Sequence, residues 1–164
     1  MRLVVAAVGR LKAGPERELA ERYRERVVKL CRTVGFHSIE FVEIDESRAR
    51  RPEDRAAHEG AALAGLMSGD HVRIVLDARG QALTSEALAE RLKRWRDNGR
   101  ATAYFLIGGA DGLAGDLRQG ADLVLAFGSA TWPHQLVRIM LLEQLYRVAT
   151  MLSGHPYHLS LIHI

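Results

Sequence analysis

The chain has 164 residues, enough to bury a core without disulfides or a structural metal, and a second domain is not needed to account for the length. Its 23 lysines and arginines barely exceed its 20 acidic residues, which excludes a protein that coats polyanions by charge alone and confines any nucleic-acid binding to a localised site. The single Cys31 excludes an internal disulfide framework and fits a reducing cytosol.

Residues 3–8 form an apolar run that stops at Gly9. It is too short for a membrane span and unlike a signal peptide, so a first buried strand in a cytoplasmic protein is expected. The loop 9–15 leads into a helix predicted over about 15–32, with Tyr23, Val27, Val28 and Leu30 on its apolar side and Cys31 as a small core residue. Residues 37–44 alternate Ile39, Phe41, Val42 and Ile44 and read as a second strand. The arginine-rich connector 45–54 reads as a solvated loop, because acids are interspersed with its cations.

A second helix is predicted over 52–67 and a third strand over 70–77, closed by Ala78-Arg79-Gly80. Thr84 or Ser85 caps the next helix, which stops at Asn98-Gly99. Residues 101–107 are almost continuously apolar, as expected of a strand covered on both faces. Gly108-Gly109-Ala110-Asp111-Gly112 breaks that strand. A short helix over 115–119, a fifth strand over 122–127 and a long helix starting at Pro133 follow, with Thr131 or Trp132 at the cap of the last. Apolar residues at 137, 141, 145, 148 and 152 form a core stripe on this helix. Leu136, Ile139, Met140 and Met151 lie on its other side, among Arg138, Glu143, Tyr146 and Arg147, and predict a second buried face covered by a partner subunit.

Strands alternating with helices define an α/β protein with a mainly parallel sheet flanked by helices. Ligands in such sheets bind outside the carboxyl ends of the strands. Three of those ends are unusual: Leu76-Asp77, the glycine cluster from Gly108, and the small-residue loop from Phe127 to Trp132. The glycine cluster lacks the spacing of a dinucleotide or Walker loop and serves equally well as a plain turn. Leu76, Ile107, Phe127 and Trp132 suit a flat, largely uncharged group such as adenine, held by backbone polar groups. Trp132 suits a core position equally. The tail Ser153-Gly154-His155-Pro156-Tyr157-His158 offers a proton acceptor and a stacking surface. No carboxylate or cysteine at ligand spacing accompanies His155 and His158, so no metal is expected. His134, at the start of the long helix, is placed to touch a ligand.

Four blocks, Phe105–Gly112, Trp132–Arg138, Glu143–Arg147 and His155–His158, together resemble the large-subunit ribosomal RNA methyltransferase H family of the SPOUT (α/β-knot) class. The resemblance covers residues 1–158 as one domain. It implies a C-terminal trefoil knot, a homodimer, and transfer of a methyl group from S-adenosylmethionine to N3 of a pseudouridine in helix 69 of 23S rRNA on the ribosome. It also implies cofactor contacts at Leu76, Gly108, Phe127, Gly128, Ser129, Ala130, Thr131 and Trp132. Tyr157 and His158, contributed across the dimer, would accept or screen charge at the base, and Arg138 would orient substrate or tail. The chain departs from the family's pattern after His158, where a basic residue is expected. The apolar Leu159-Ser160-Leu161-Ile162-His163-Ile164 stands there instead and looks foreign to the domain. The competing reading is a non-catalytic dimeric nucleotide- or RNA-binding module on the same fold. A dehydrogenase-like domain is disfavoured by the missing dinucleotide fingerprint.

Overall fold

A computed structural model describes residues 1–159, apart from the side chain of His158. Five strands, β1 (Arg2–Val8), β2 (Ser38–Ile44), β3 (His71–Ala82), β4 (Thr102–Ile107) and β5 (Leu123–Ala126), form one sheet in the order β2-β1-β4-β3-β5. Every neighbouring pair is parallel. The helices are α1 (Pro15–Cys31), α2 (Pro52–Leu66), α3 (Ser85–Asp97), α4 (Gly115–Gln119) and α5 (His134–Ser153), with 3-10 turns at Arg32–Val34 and Pro156–Leu159. Among the described residues no helix is long and apolar enough to cross a membrane.

Strand alternation assigns the two faces. Leu3, Val5 and Ala7 of β1, Ile74 of β3 and Phe105 of β4 point to one side and pack with Val27 of α1, Leu88 and Leu92 of α3, and Leu141, Leu145 and Val148 of α5. Val4, Ala6, Val8, Val75, Tyr104 and Leu106 point to the other, against Leu63 of α2 and Leu117 of α4. The topology explains this division. Steps towards β2, from β1 to β2 and from β3 to β4, carry α1 and α3; steps towards β5, from β2 to β3 and from β4 to β5, carry α2 and α4. Parallel crossovers of a single hand require that segregation. The central strand β4 is buried at all six positions, the reason its sequence is continuously apolar.

The structure departs from the sequence-based expectations at three points. β3 does not stop at Asp77. Leu76 and Gln81 both pair with Leu125, so residues 77–80 bulge out and the strand resumes to Ala82. The Ala78-Arg79-Gly80 turn signal marks this bulge, and a Cβ on Gly80 would lie 2.5 Å from the Val124 carbonyl oxygen of β5. Pro133 is the cap of α5 rather than its first helical residue, because its ψ of 137° is extended. Ile139 is not left for a partner: it is buried with Leu142 against Ala20 of α1. Met151 is not left for a partner either, since it packs against the main core; what α5 leaves open is the exposed Leu136 and the half-buried Met140.

Candidate active site

The carboxyl ends of β3, β4 and β5 surround a cleft of about 370 Å³. Its walls are Leu76, Ile107, Leu125, Phe127 and Val137, and its rim is Gly108, Gly109, Ala110 and Gly112 on one side and Ala130–His134 on the other. A volume at the low end of the small-molecule range, apolar walls and a backbone-rich rim suit a flat heterocycle read by peptide groups. Six residues expected at a cofactor, Leu76, Gly108, Phe127, Ala130, Thr131 and Trp132, line this one cleft. Gly128 and Ser129 belong to the same loop but are exposed and do not line it. Gly128 turns the chain at φ 88°, a conformation that favours glycine. The Trp132 indole donates to the Phe127 carbonyl at 3.0 Å and closes the loop on itself. This accounts for a tryptophan that is still 43% exposed: its ring is a lip of the cleft and not core. His134 also lines the cleft.

The glycine loop is shaped as a close-approach surface. A Cβ on Gly108 would lie 2.8 Å from the Gly112 carbonyl carbon, so only glycine lets the loop fold against itself here. Helix α2 braces the loop from behind. Arg55 makes two hydrogen bonds to Asp111, at 2.6 and 3.0 Å, and also donates to the Ala49 and Arg50 carbonyls. One turn on, buried Glu59 accepts from the Ser47 amide at 2.8 Å, while its Oε2 has no partner and would sit 3.1 Å from a Cβ on Gly109. Arg55 is therefore part of the support of the site and not of a solvated charge run. Nothing local in the sequence ties it to a carboxylate 56 positions away.

Asp77, in the β3 bulge, lines the cleft and is held by Arg79 through its backbone N–H at 2.9 Å and its guanidinium at 2.8 and 3.0 Å, with Arg118 at 3.4 Å. The Arg79 hydrogen bonds pull its pKa down to about 2 against the opposing effect of burial. The carboxylate is thus ionised at any working pH and pins the bulge that forms one wall.

The other three candidates lie elsewhere. Arg138 is buried, pairs with Glu43 at 2.6 Å and donates to the Gly9 carbonyl at 3.0 Å, bracing the end of β1. Burial lowers its pKa and Glu43 counters that. Tyr157 packs on Tyr146 with ring centroids 4.6 Å apart and donates to Glu143 at 3.3 Å, next to the Arg147–Glu143 pair. Desolvation above all, then a hydrogen bond with Tyr23, pushes its pKa up to about 12, so in this position the phenol is a donor and not a base. The side chain of His158 lies outside the described residues, as do residues 160–164 of the apolar C-terminal segment. Val137 at the cleft and Tyr146 under Tyr157 are roughly 13 Å apart along α5, at about 1.5 Å per residue. The tail of a chain therefore docks well away from its own cleft. Among the described residues, no group of three His, Cys, Asp or Glu side chains converges as a metal site.

A parallel α/β sheet with a backbone-rimmed cleft at its carboxyl edge and no dinucleotide fingerprint defines an α/β protein with a small-molecule cleft outside the Rossmann pattern. The model of the family described as Predicted SPOUT methyltransferase matches residues 1–158, and the chain belongs to that family. It is 58% identical over 158 residues to the Ribosomal RNA large subunit methyltransferase H of a Bradyrhizobium species, covering 96% of this chain and 99% of that protein. To the protein of the same description from Rhodopseudomonas palustris it is 60% identical over 158 residues, with the same coverage. Among solved structures, a methylase-family protein from Neisseria gonorrhoeae aligns with a TM-score of 0.50 at 12% identity, over 88% of this chain and 80% of that one, a likeness of fold alone.

Proposed function

We propose that the chain is an S-adenosylmethionine-dependent ribosomal RNA methyltransferase acting on N3 of a pseudouridine in helix 69 of 23S rRNA, within the ribosome. The observation that carries this reading is the cleft at the ends of β3, β4 and β5. It gathers the apolar walls and peptide groups an adenosyl moiety needs, in a chain whose relatives are described as rRNA methyltransferases. The reading includes a cytoplasmic homodimer, a knotted C-terminal region, and a functional unit ending at His158.

The cofactor fits the residues present. Leu76, Ile107 and Phe127 offer surfaces for the adenine, Gly108 exposes backbone, and the Phe127–Trp132 loop closes over the outer side. When bound, the group supplies a methyl activated by its sulfonium centre. The protein's part is to hold the base in line with that methyl and to manage the proton of the imide. As N3 loses its proton, negative charge spreads onto the flanking carbonyl oxygens, where a preorganised donor lowers the barrier. Tyr157, protonated at working pH, suits that donor role, and His158 beside it is the candidate acceptor. Since each tail docks far from its own cleft, the tail that acts belongs to the second subunit. Arg138 contributes as a positioning residue, by fixing the end of β1.

Calorimetric titration with S-adenosylmethionine, followed by mass spectrometry of nucleosides from ribosomes incubated with the enzyme, tests the reading. The expected result is micromolar binding and methylpseudouridine in the large-subunit RNA. Cofactor binding with no methyl incorporation, even by a version in which arginine follows His158 directly, would leave a binding module instead.

A further inference from the structure

A second cavity, of about 490 Å³, lies between α1, β2 and α5. Four arginines line it, Arg10, Arg17, Arg24 and Arg138, against two carboxylates, Glu21 and Glu43. For a chain whose net charge is only +3, this is a marked concentration of cations. Three of these arginines face a carboxylate, Arg138 with Glu43 at 2.6 Å, Arg24 with Glu21 at 3.4 Å and Arg10 with Asp45 at 3.4 Å, but the last two pairs are largely exposed and weak enough to exchange for a phosphate. Glu43 also accepts from the Leu11 amide. Arg17 has no ion-pair partner among the described residues. Arg138 is buried, yet its Nε–H finds no acceptor. The one aromatic side chain of the wall is Phe41, and the Arg24 guanidinium lies over its ring, 4.8 Å from the centre, as a planar stacking surface. Cations at the rim and an aromatic wall are the two elements with which proteins hold single-stranded nucleic acid, the first for the phosphate and the second for the base.

The position of this cavity links it to the cleft. Val137 lines the cleft and Arg138, the next residue of α5, lines the second cavity, so the first turns of α5 form the partition between them. We propose that the α1–β2 cavity is a second nucleotide subsite. It takes a nucleotide neighbouring the target, with its phosphodiester on Arg10 and Arg17 and its base on the Arg24–Phe41 stack. This rests on the methyltransferase reading and adds to it a means of substrate selection: the enzyme reads an unpaired stretch of RNA, not a single base.

The test uses the full chain carrying Arg17→Ala with Arg24→Ala, two exposed positions on a helix that tolerates alanine. Four quantities are compared with the unsubstituted chain: S-adenosylmethionine affinity, KM and kcat on ribosomes, and affinity for a short uridine-rich oligonucleotide across a salt series. Expected are unchanged cofactor affinity, a kcat within about twofold, and a ribosome KM raised about tenfold. The log–log salt slope of oligonucleotide binding should fall by about 0.7 for each phosphate that is no longer neutralised. The pair Arg17→Lys with Arg24→Lys, which keeps the charge, should restore most of the oligonucleotide affinity. Unchanged KM and oligonucleotide affinity in the alanine chain overturn the subsite, as does equal competition by a polyglutamate peptide. Oligonucleotide binding that depends on these arginines, in a chain that never methylates ribosomes, would keep the subsite and discard the methyltransferase reading.

Discussion

At the scale of single residues, the cleft depends on atoms that are absent as much as on those present. Gly108→Ala places a methyl group 2.8 Å from the backbone of Gly112, and backbone cannot swing aside as a side chain can. The loop must open, and S-adenosylmethionine affinity is expected to fall at least tenfold while thermal stability changes by only about 1 kcal/mol. Unaltered binding in a calorimetric titration would mean that this loop does not touch the ligand. Asp77 gives a pH prediction. Its folded pKa, about 2, is below the unfolded value near 3.9, so its contribution is complete above about pH 4 and is lost as pH falls through 2. Arg79 is largely exposed, and screening reduces the effect to about 1 kcal/mol. Asp77→Asn should accordingly lower the unfolding midpoint at pH 7 but not at pH 2. An equal loss at both would assign the effect to packing.

At the scale of elements, α5 packs on the sheet with α3, on the flank of α1 and under the Pro156–Leu159 turn, and leaves a strip at Leu136 and Met140. If that strip is the subunit interface, Leu136→Glu with Met140→Glu should give monomers by light scattering and weaken cofactor binding, since Leu136 follows the cleft's rim by two residues. A dimer that survives both charges would remove α5 from the interface. Elements of this kind are largely legible in the sequence. The five strands, the five helices and the parallel sheet follow from periodicity and from glycine and proline punctuation, and the ends of the third and fourth strands point to the cleft. Four things are not legible. The bulge in β3 looks like a strand end because Ala78-Arg79-Gly80 carries the same turn chemistry in both cases. The α1 contact with Ile139 and the Arg55–Asp111 brace depend on which elements become neighbours, and neither local propensity nor period encodes that. Tyr157 looks like an acceptor in the sequence because its burial beside Glu143 and Tyr23, the cause of its raised pKa, exists only in three dimensions.

At the scale of the whole molecule, the proposed reading makes a complete site a property of two chains, because tail and cleft lie apart along α5. Mixing a chain carrying Gly108→Ala with one carrying Tyr157→Phe tests this directly. In random dimers half are mixed, and each mixed dimer holds one intact cleft facing one intact tail, so roughly a quarter of the wild-type sites should be regained. If the tail served its own cleft, every site would carry a defect and mixing would recover nothing. The apolar segment after His158 belongs to the same question. A version ending in arginine after His158 should bind S-adenosylmethionine as this chain does and turn over ribosomes faster; equal turnover would make the segment inconsequential.

The place of β4 also determines when the sheet can form. It is the middle strand, yet it is the fourth to be synthesised, and it fills a slot between β1, which pairs with β2, and β3. Until residue 107 is available the chain can assemble only the β1–β2 pair, and β3 has no strand to pair with, since both its neighbours, β4 and β5, come later. The join is made entirely of contacts remote in sequence, the kind that form slowly and leave a chain open to aggregation meanwhile. Nascent chains that stop short of β4 should therefore be the species that chaperones hold, and release should follow once Thr102–Ile107 slots in and joins β3 to the β1–β2 pair.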